Sequence, residues 1–469
     1  MTTTQDAPKS APVYGPTFEE MLHPERMPEE IRRQALLAAE TAPLDPVNLF
    51  NITWKDQSGS VRYFVLEKAL TGVDANILVL YGREFPTGSH KVGATYAVAM
   101  EKQLAGEIAP GEHTLVWPST GNYGIGGAWV GPRLGYSSLV VMPEDMSRER
   151  FERIASYGAR VVRTPGSESN VKEIYDACRE LAGDERVRVL NQFQEMANYR
   201  FHHHVTGGSA VEAAVDLNRR GMGDGRIAAF VSAMGSAGTI AAGDRCKQVF
   251  RDCRIVGLEP IQCPTLFENG YGSHDIQGIG DKHVTWIHNV MNMDAVMAVD
   301  DLDCKKGLQL LSAPAGREYL AAQAGVSLGL VEKLGYLVGL SGVANILGAI
   351  KTAKFYGLGP RDNVVTVATD ALDRYHSVMS DMDAEYGAVD RCRAAVYLEG
   401  IFRGVKTDWV QEGTAHHRRR WLNLKYYTWV EQQGKTVREL DAQRNQDWWV
   451  AQQDEVMEFD HRLKEARGF

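Results

Sequence analysis

The chain has 469 residues, enough for more than one packed domain, and its hydrophobic (44%) and charged (24%) fractions are those of an ordinary globular protein. A formal net charge of −9 gives no indication of wholesale binding to nucleic acid or to an anionic membrane. No run approaches the roughly 18 consecutive apolar residues of a membrane span.

The N-terminus and the cysteines bear on the compartment. Residues 1–16 are polar and contain prolines, without the apolar core of a secretory signal, and we expect them to be disordered. The six cysteines are irregularly spaced and form no C-x-x-C pair, which favours reduced thiols. We therefore expect a soluble, cytoplasmic protein.

The first ordered elements lead to a lysine in a strand-to-helix turn. Residues 18–40 are predicted to be helical, and residues 49–54 and 61–66 to be strands or extended pieces. The apolar run 77–80 predicts a buried strand, and the turn residues 86–89 lead into an apolar helix that Ser89 can cap. Lys91 then lies in the first turn of that helix.

The expected surroundings of Lys91 favour the neutral, reactive form of its amine. The positive end of a helix and apolar neighbours both disfavour the charged form of a lysine. A partly neutral lysine is a nucleophile for Schiff-base chemistry. Most lysines are solvated at the surface, so this turn alone does not establish a function.

A regular alternation of strands and helices follows. Strands are predicted at residues 114–117, 139–142, 161–163 and 187–190, with helices from about residue 121 and over residues 146–157. This alternation is typical of a parallel sheet with helices on both faces. The turn 118–126 offers backbone N–H groups, hydroxyls and the Asn122 amide to an anion, although such glycine-rich turns are often only tight packing.

The same pattern starts again after residue 208. A helix is predicted at residues 210–217, strands at 227–232, 255–258 and 364–368, and long helices at 313–334 and 343–356. The chain therefore contains two α/β sheets, one nested within the sequence of the other. The active site of such a protein is expected at the carboxyl ends of the strands, in the crevice between the domains.

Residues 232–239 form a second candidate anion site directly after a strand. They are small or hydroxylated, which lets the backbone approach a phosphate closely. They form neither a P-loop nor a GxGxxG fingerprint.

Residues 380–469 differ in composition. They hold five of the nine tryptophans and no visible strand pattern, which predicts helices that wrap the core or a partner subunit. Acidic residues surround the basic run 418–420, so nucleic-acid binding is not expected. The adjacent histidines 202–204 point in different directions on a helix or strand and predict no metal site, and the acidic run 300–303 is interpreted as a solvated turn.

Six motifs, in order along the chain, resemble the β-family (fold type II) of pyridoxal-phosphate enzymes. This family includes cysteine synthase, cystathionine β-synthase, serine/threonine dehydratases and the tryptophan synthase β chain. The motifs look most like the cysteine synthase and cystathionine β-synthase branch, over roughly residues 45–378. They lie at residues 86–94, 119–124, 191–198, 235–239, 274–280 and 340–342.

The resemblance implies pyridoxal 5′-phosphate as cofactor and a role for each matching residue. Lys91 would form the Schiff base and move the α-proton of the substrate. The other cofactor-binding residues would be Asn122, Gly278 and the phosphate-cradling Gly235, Ser236, Ala237, Gly238 and Thr239. The substrate carboxylate would be bound by Ser119, Thr120, Gly121, Tyr123 and Gln192.

The chain departs from the cysteine synthase pattern in places. Valine and glycine follow Lys91, where the family usually has aspartate and arginine, and His90 is instead similar to the tryptophan synthase β chain. Ala371 stands where a serine usually faces the cofactor's ring nitrogen, so Thr369 or Asp370 is expected to take over. A carboxylate there would keep the nitrogen protonated, whereas a hydroxyl would not.

The resemblance also implies an architecture. It has two nested parallel-sheet α/β domains, similar to the tryptophan synthase β-like (fold type II) arrangement, with a helical C-terminal extension. Residues 17–95 and 206–380 would form a large domain that binds the cofactor phosphate, residues 96–205 a small, mobile substrate domain, and residues 381–469 the Trp-rich extension. A homodimer is implied, with a small amino acid as its ligand and without metal, nucleic acid or membrane.

The predicted reaction is β-replacement on a serine- or cysteine-like amino acid, through an aminoacrylate intermediate to which a thiol or other nucleophile adds. The alternative is β-elimination, as in a C–S lyase, a cysteine desulfhydrase or a serine/threonine dehydratase. A hypothesis of another class is a non-catalytic binding protein on the same fold, with the Trp-rich tail as its interaction surface.

Overall fold

The computed structural model describes residues 11–119, 121–168 and 170–468, and its strands form two sheets. The strands are β1 (Tyr63–Leu66), β2 (Asn76–Tyr81), β3 (Thr114–Pro118), β4 (Ser137–Pro143), β5 (Arg160–Thr164), β6 (Val187–Val189), β7 (Ala229–Ala233), β8 (Arg254–Pro260), β9 (Ala295–Val299), β10 (Asn363–Ala368) and β11 (Val410–Glu412).

Helices connect and cover these strands. The α-helices are Phe18–Leu22, Glu29–Thr41, Lys68–Thr71, Lys91–Leu104, Asn122–Arg133, Arg148–Ser156, Val171–Leu181, Met196–Phe201, Gly207–Arg219, Ala241–Val249, Thr265–Glu268, Asp301–Ser312, Pro314–Ala322, Leu328–Leu337, Leu340–Phe355, His376–Tyr386, Arg391–Tyr397, Ala415–Lys425, Val437–Ala442 and Gln446–Ala466. Short 3₁₀ helices span Pro24–Arg26, Pro46–Asn51, Val290–Asn292 and Leu372–Arg374, and π-helical turns span His202–Thr206, Leu398–Arg403 and Tyr426–Val430.

The large sheet has the strand order β1-β2-β10-β7-β8-β9-β11. Its inner strands β2, β10, β7, β8 and β9 are parallel, whereas β1 and β11 pair antiparallel at the two edges. Strands β7, β9 and β10 are buried along their whole length, because helices cover both faces of the sheet.

The small sheet has the order β5-β4-β3-β6 and is parallel throughout. All four of its strands lie in the sequence between β2 and β7 of the large sheet. The predicted α/β fold with one parallel sheet nested in the other is therefore confirmed. No helix among the described residues is long and apolar enough to cross a membrane.

Local capping overrides two of the predicted elements. Residues 49–54 were expected to be extended, but Pro46–Asn51 is a 3₁₀ helix, because Asp45 accepts the Val47 N–H (2.8 Å) and proline suits the first turn. The helix predicted over residues 313–334 is divided into two, because Ser327 caps a new helix by accepting the Leu330 N–H.

The acidic run at residues 300–303 also differs from its prediction. It is no solvated turn: Asp300 accepts the Asp303 N–H (3.0 Å) and begins the helix Asp301–Ser312. Acidic side chains are favourable at this position because the N-terminus of a helix carries partial positive charge.

The prediction of disorder for residues 1–16 needs correction for its last residues. Residues 1–10 lie outside the described part of the chain. The Tyr96 hydroxyl donates to the buried Pro16 carbonyl (2.7 Å), and the Gln103 amide donates to the Val13 carbonyl (2.9 Å). These two bonds fix residues 13–16 against the helix Lys91–Leu104, a contact that the polar local sequence does not reveal.

The C-terminal region is helical, as predicted, and packs on the core. Its tryptophans Trp421, Trp429 and Trp449 are buried. It also supplies the edge strand β11, which the sequence pattern did not show and which pairs with β9.

Tail side chains hold one loop of the large-sheet half. The Trp429 indole donates to the Val284 carbonyl (2.8 Å), and the buried Lys425 amine donates to the carbonyls of Trp286 (2.9 Å) and His288 (2.6 Å). The Trp286 N–H in turn donates to the carbonyl of Phe193, after β6 of the small sheet (2.9 Å). The tail thus fixes a loop that touches both halves of the molecule.

Deleting residues 385–469 is expected to make the remaining chain insoluble. The deletion exposes the surfaces that cover the buried tail tryptophans and leaves β9 as an unprotected sheet edge. The measurement is the soluble fraction and the gel-filtration profile beside those of the full chain. A truncated protein that stays soluble, with a sharp peak at the reduced mass, would contradict this packing argument.

Candidate active site

The loops of the candidate site follow neighbouring strands. In the large sheet, the Lys91 turn follows β2, residues 369–371 follow β10 and residues 234–239 follow β7. Because β2, β10 and β7 are adjacent and parallel, these three loops meet at one edge of the sheet. In the small sheet, Ser119 follows β3 and Gln192 follows the adjacent β6. The two sets of loops face each other across a narrow crevice.

Lys91 lies in the first turn of the helix Lys91–Leu104, as the local pattern predicts. Its N–H donates to Ser89 Oγ (3.3 Å), and its Nζ donates to Ser236 Oγ (3.1 Å). Burial lowers the pKa of the Lys91 amine to about 8, although the negative charges of Asp281 and Glu168 act in the opposite direction. About a tenth of the amine is then neutral at pH 7, far more than for an ordinary lysine.

The loop 235–239 is shaped by close backbone approach. A Cβ atom at Gly235 would lie 3.0 Å from the Gly278 carbonyl oxygen, and one at Gly238 would lie 2.2 Å from Asn198 Oδ1. Ala237 adopts a left-handed conformation (φ +59). Successive backbone N–H groups in such a turn form a concave anion site.

Ser236 connects this loop to the small-sheet half. The Asn198 amide donates both to Ser236 Oγ (3.2 Å) and to the Gln192 carbonyl (2.9 Å). A second bond joins Thr239 Oγ1 to Nε2 of His90, the residue before Lys91 (3.1 Å). Burial lowers the pKa of His90 well below its ordinary value, so this imidazole is neutral. The lysine turn and the small-residue loop are therefore tied together.

Asp370 is the centre of a buried polar cluster that crosses the crevice. The Asn122 amide of the small-sheet half donates to its carboxylate (2.6 Å), and the Tyr375 hydroxyl donates to the same oxygen (2.9 Å). Arg150 and Arg374 each lie 3.8 Å from it. Arg150 also donates to the Tyr375 hydroxyl (2.9 Å).

The crevice unites most of the residues selected from the sequence. Its walls include Lys91, Ser119, Gly121, Asn122, Tyr123, Gln192, Gly235, Ser236 and Gly278. Ala237 and Gly238 follow the wall residue Ser236 in the chain, and Thr239 is bonded to His90 beside Lys91. Asp370 is bonded to the wall residue Asn122, and Thr369 precedes Asp370 in the chain. Thr120 lies outside the described residues.

The walls also include three residues that the sequence analysis missed: Glu168, Phe193 and Asp281. Burial raises the pKa of the Asp281 carboxyl to about 7, and the charge of Lys91 acts in the opposite direction. Asp281 directly follows the motif that ends at Gly280, so that motif was a signal for it. Glu168 lies in an irregular segment without a local signal.

The three adjacent histidines lie outside the crevice walls, in the π-helical turn His202–Thr206 just before the helix Gly207–Arg219. His202 bonds to Thr206, His203 to Gln248 and His204 to the Gln453 carbonyl. The rings therefore point in three directions, which is the geometry expected of consecutive helical residues.

Comparisons with known proteins match more than half of the chain. A family model described as "Pyridoxal-phosphate dependent enzyme" matches residues 68–370. A cysteine synthase of Staphylococcus aureus is 30% identical over 304 residues, which are 65% of this chain and 88% of that protein. A probable cysteine synthase of Bacillus subtilis is 31% identical over 296 residues, 62% of this chain and 85% of that protein.

Solved structures show the same fold. A cysteine synthase from Entamoeba histolytica superposes with a TM-score of 0.58 at 21% identity, over 72% of this chain and 92% of its own. An O-acetylserine dependent cystathionine β-synthase from Helicobacter pylori gives a TM-score of 0.56 at 24% identity, over 67% and 94%. With its matching family model, its relatives and its two nested parallel sheets of the tryptophan synthase β-like type, this chain belongs to the pyridoxal-phosphate dependent enzymes of fold type II.

Proposed function

We propose that this enzyme catalyses β-replacement on a serine- or cysteine-like amino acid. The observation that carries the proposal is the position of the Lys91 amine, 3.1 Å from Ser236 of the anion loop and in one crevice with Ser119 and Asn122. The names of the bacterial relatives, which are cysteine synthases at 30–31% identity, support the same reaction class.

The residues present fit pyridoxal phosphate. The loop 235–239 offers backbone N–H groups and a left-handed residue to the phosphate, and Lys91 offers a partly neutral amine for a Schiff base with the aldehyde. Asn122 Oδ1 is buried and has no hydrogen-bond partner among the described residues, so it can serve a bound group. When bound, the cofactor supplies an electron sink for the carbanion formed at the α carbon.

Residues of this chain bind the substrate and move its proton. Ser119, Gly121, Tyr123 and Gln192 lie on the small-sheet wall, where they orient the substrate carboxylate. The Lys91 amine takes the α-proton of the substrate and later returns it, which requires the neutral form that burial favours. Asp370 holds the Asn122 amide in place across the crevice.

The assembly and the domain motion belong to the same proposal. Residues 96–205 would close on residues 17–95 and 206–380, and the contacts of Asn122 and Arg150 with Asp370 and Tyr375 would form on closure. All six cysteines are free thiols, five of them buried, which supports a reducing, cytoplasmic location. A homodimer remains the expected assembly.

Incubation of the cofactor-loaded enzyme with serine, cysteine and O-acetylserine, with and without an added thiol, tests the reaction. We expect a thioether product that forms only when the thiol is present. Mass spectrometry detects this product. Pyruvate and ammonia formed at the same rate without any nucleophile would instead identify an elimination. A protein that binds no cofactor and changes none of these amino acids would favour a non-catalytic role.

A further inference from the structure

Asp281 is aimed into the crevice by a firmly anchored loop. The Gly280 N–H donates to the carbonyl of Met234, just after β7 (2.7 Å), and His274 bonds to the Gly280 carbonyl (2.9 Å). The Asp281 carbonyl accepts the Thr265 hydroxyl (2.7 Å). With its backbone held on both sides, Asp281 contributes its side chain to the wall opposite the substrate loop.

The Asp281 carboxyl is buried but incompletely bonded. The residue is 8% exposed, and its Oδ2 atom has no hydrogen-bond partner among the described residues. A buried carboxyl oxygen without a partner costs free energy, so its presence in a reaction crevice points to a task there.

Glu168, the second acidic residue of the crevice, interacts electrostatically with the buried guanidinium of Arg150. Burial alone lowers the pKa of the Arg150 guanidinium, but Tyr375, Asp370 and Glu168 together raise it above its ordinary value. The charge of Glu168 is thus balanced by a buried arginine. Lys91, the amine that the cofactor uses, interacts with both carboxylates and is the cation that acts on Asp281.

We propose that Asp281 carries the proton between the departing β-substituent and the incoming nucleophile, so that the first substrate has an unactivated β-hydroxyl. This inference rests on the proposed β-replacement and names its substrate class. An ester substituent leaves as a stable carboxylate and needs no acid, whereas a hydroxyl leaves as hydroxide, a strong base, and does.

The proton and the electrons balance over the two half-reactions. The bond from the β carbon to the substituent breaks with both electrons on the substituent, which takes the Asp281 proton, while the pair released at the α carbon becomes a double bond to the β carbon. The nucleophile then bonds to the β carbon, the double-bond pair returns to the α carbon, and the nucleophile's proton goes to the Asp281 carboxylate. No oxidant or reductant is needed.

Asp281→Asn in the cofactor-loaded enzyme tests the role, because the amide keeps the shape and cannot exchange a proton. With a thiol as nucleophile, we expect its kcat to fall at least about 100-fold more with serine than with O-acetylserine. Asp275→Asn is the matched control, since it removes an exposed carboxylate from the same loop and should leave this ratio unchanged. An equal loss with both substrates would overturn the proposal.

Infrared difference spectra of the holoenzyme across pH give a readout apart from activity. Burial raises the pKa of the Asp281 carboxyl, so its carboxylic-acid stretch should persist to higher pH than that of a solvated aspartate and be missing in Asp281→Asn. The ionisable groups that interact with it or share its crevice are Lys91, Tyr123, Glu168, Tyr175 and Cys263. Identical spectra for the variant and the wild type would overturn the proposal. Wild-type enzyme that yields no replacement product from any substrate would instead refute the proposed function.

Discussion

Lys91→Ala is expected to lower kcat by at least about 1,000-fold and to remove the yellow absorbance of the lysine-bound cofactor. The variant loses both the amine that bonds to the cofactor and the base that moves the α-proton, and general acid–base catalysis alone contributes about 100- to 10,000-fold. The measurement combines product formation with the visible spectrum of the purified protein. Its circular dichroism should be unchanged, because truncation at the crevice leaves the helix backbone intact.

Lys102→Ala is the matched control for this variant. Lys102 lies near the other end of the same helix, where it pairs with Glu107 (2.9 Å) and Glu195 (3.3 Å) away from the crevice. Its loss should leave both the spectrum and kcat near wild-type values. Undiminished activity of Lys91→Ala would refute the assignment of Lys91 and, with it, the mechanism.

Asp370→Ala is expected to lower the free energy of unfolding by about 3–5 kcal/mol and to weaken cofactor retention. Asp370 is fully buried, and its removal leaves the guanidinium groups of Arg150 and Arg374 without the carboxylate between them. Removing one member of a buried charge cluster costs about this much, because the remaining charges stay desolvated. Urea unfolding and the visible spectrum after dialysis measure the two effects.

Asp373→Ala is the comparison variant, because it removes the same charge from a less buried position. Asp373 pairs with Arg83 (2.7 Å) and Arg153 (2.9 Å), but its side chain is 25% exposed, so water screens the pair. We expect a loss of about 1 kcal/mol or less. Equal losses for the two aspartates would contradict the argument that burial makes the Asp370 cluster costly to break.

Part of the candidate site could be predicted from the sequence because its residues lie in recognisable local patterns. A buried strand, a turn and a helix start are adjacent in the sequence around Lys91, and the same holds for Asn122 and for the small residues 235–239. Parallel strands then bring such loops to one edge, so strand alternation sufficed to place them in one crevice.

Local patterns do not reveal the burial of Asp281 or the polar cluster around Asp370. Asp281 adjoins one of the family motifs, but no local pattern distinguishes it from a solvated loop carboxylate. Its burial depends on the anchoring of that loop to β7 and to Thr265. Asp370 was one of the two residues expected to face the ring nitrogen. Its carboxylate accepts hydrogen bonds from Asn122, which is 248 residues away in the sequence, and from Tyr375, which is 5 residues away.

By itself, the sequence determined the alternating α/β architecture, the nested order of the two sheets, the helical tail and the lysine turn, because hydrophobic periodicity and turn chemistry act over a few residues. Only the tertiary structure decided which acidic groups are buried, which arginines balance them, and how the tail fixes the loop next to the crevice. Those properties arise from contacts between distant segments, and burial together with neighbouring charges sets the pKa of a group and the cost of its charge, so no local pattern carries them.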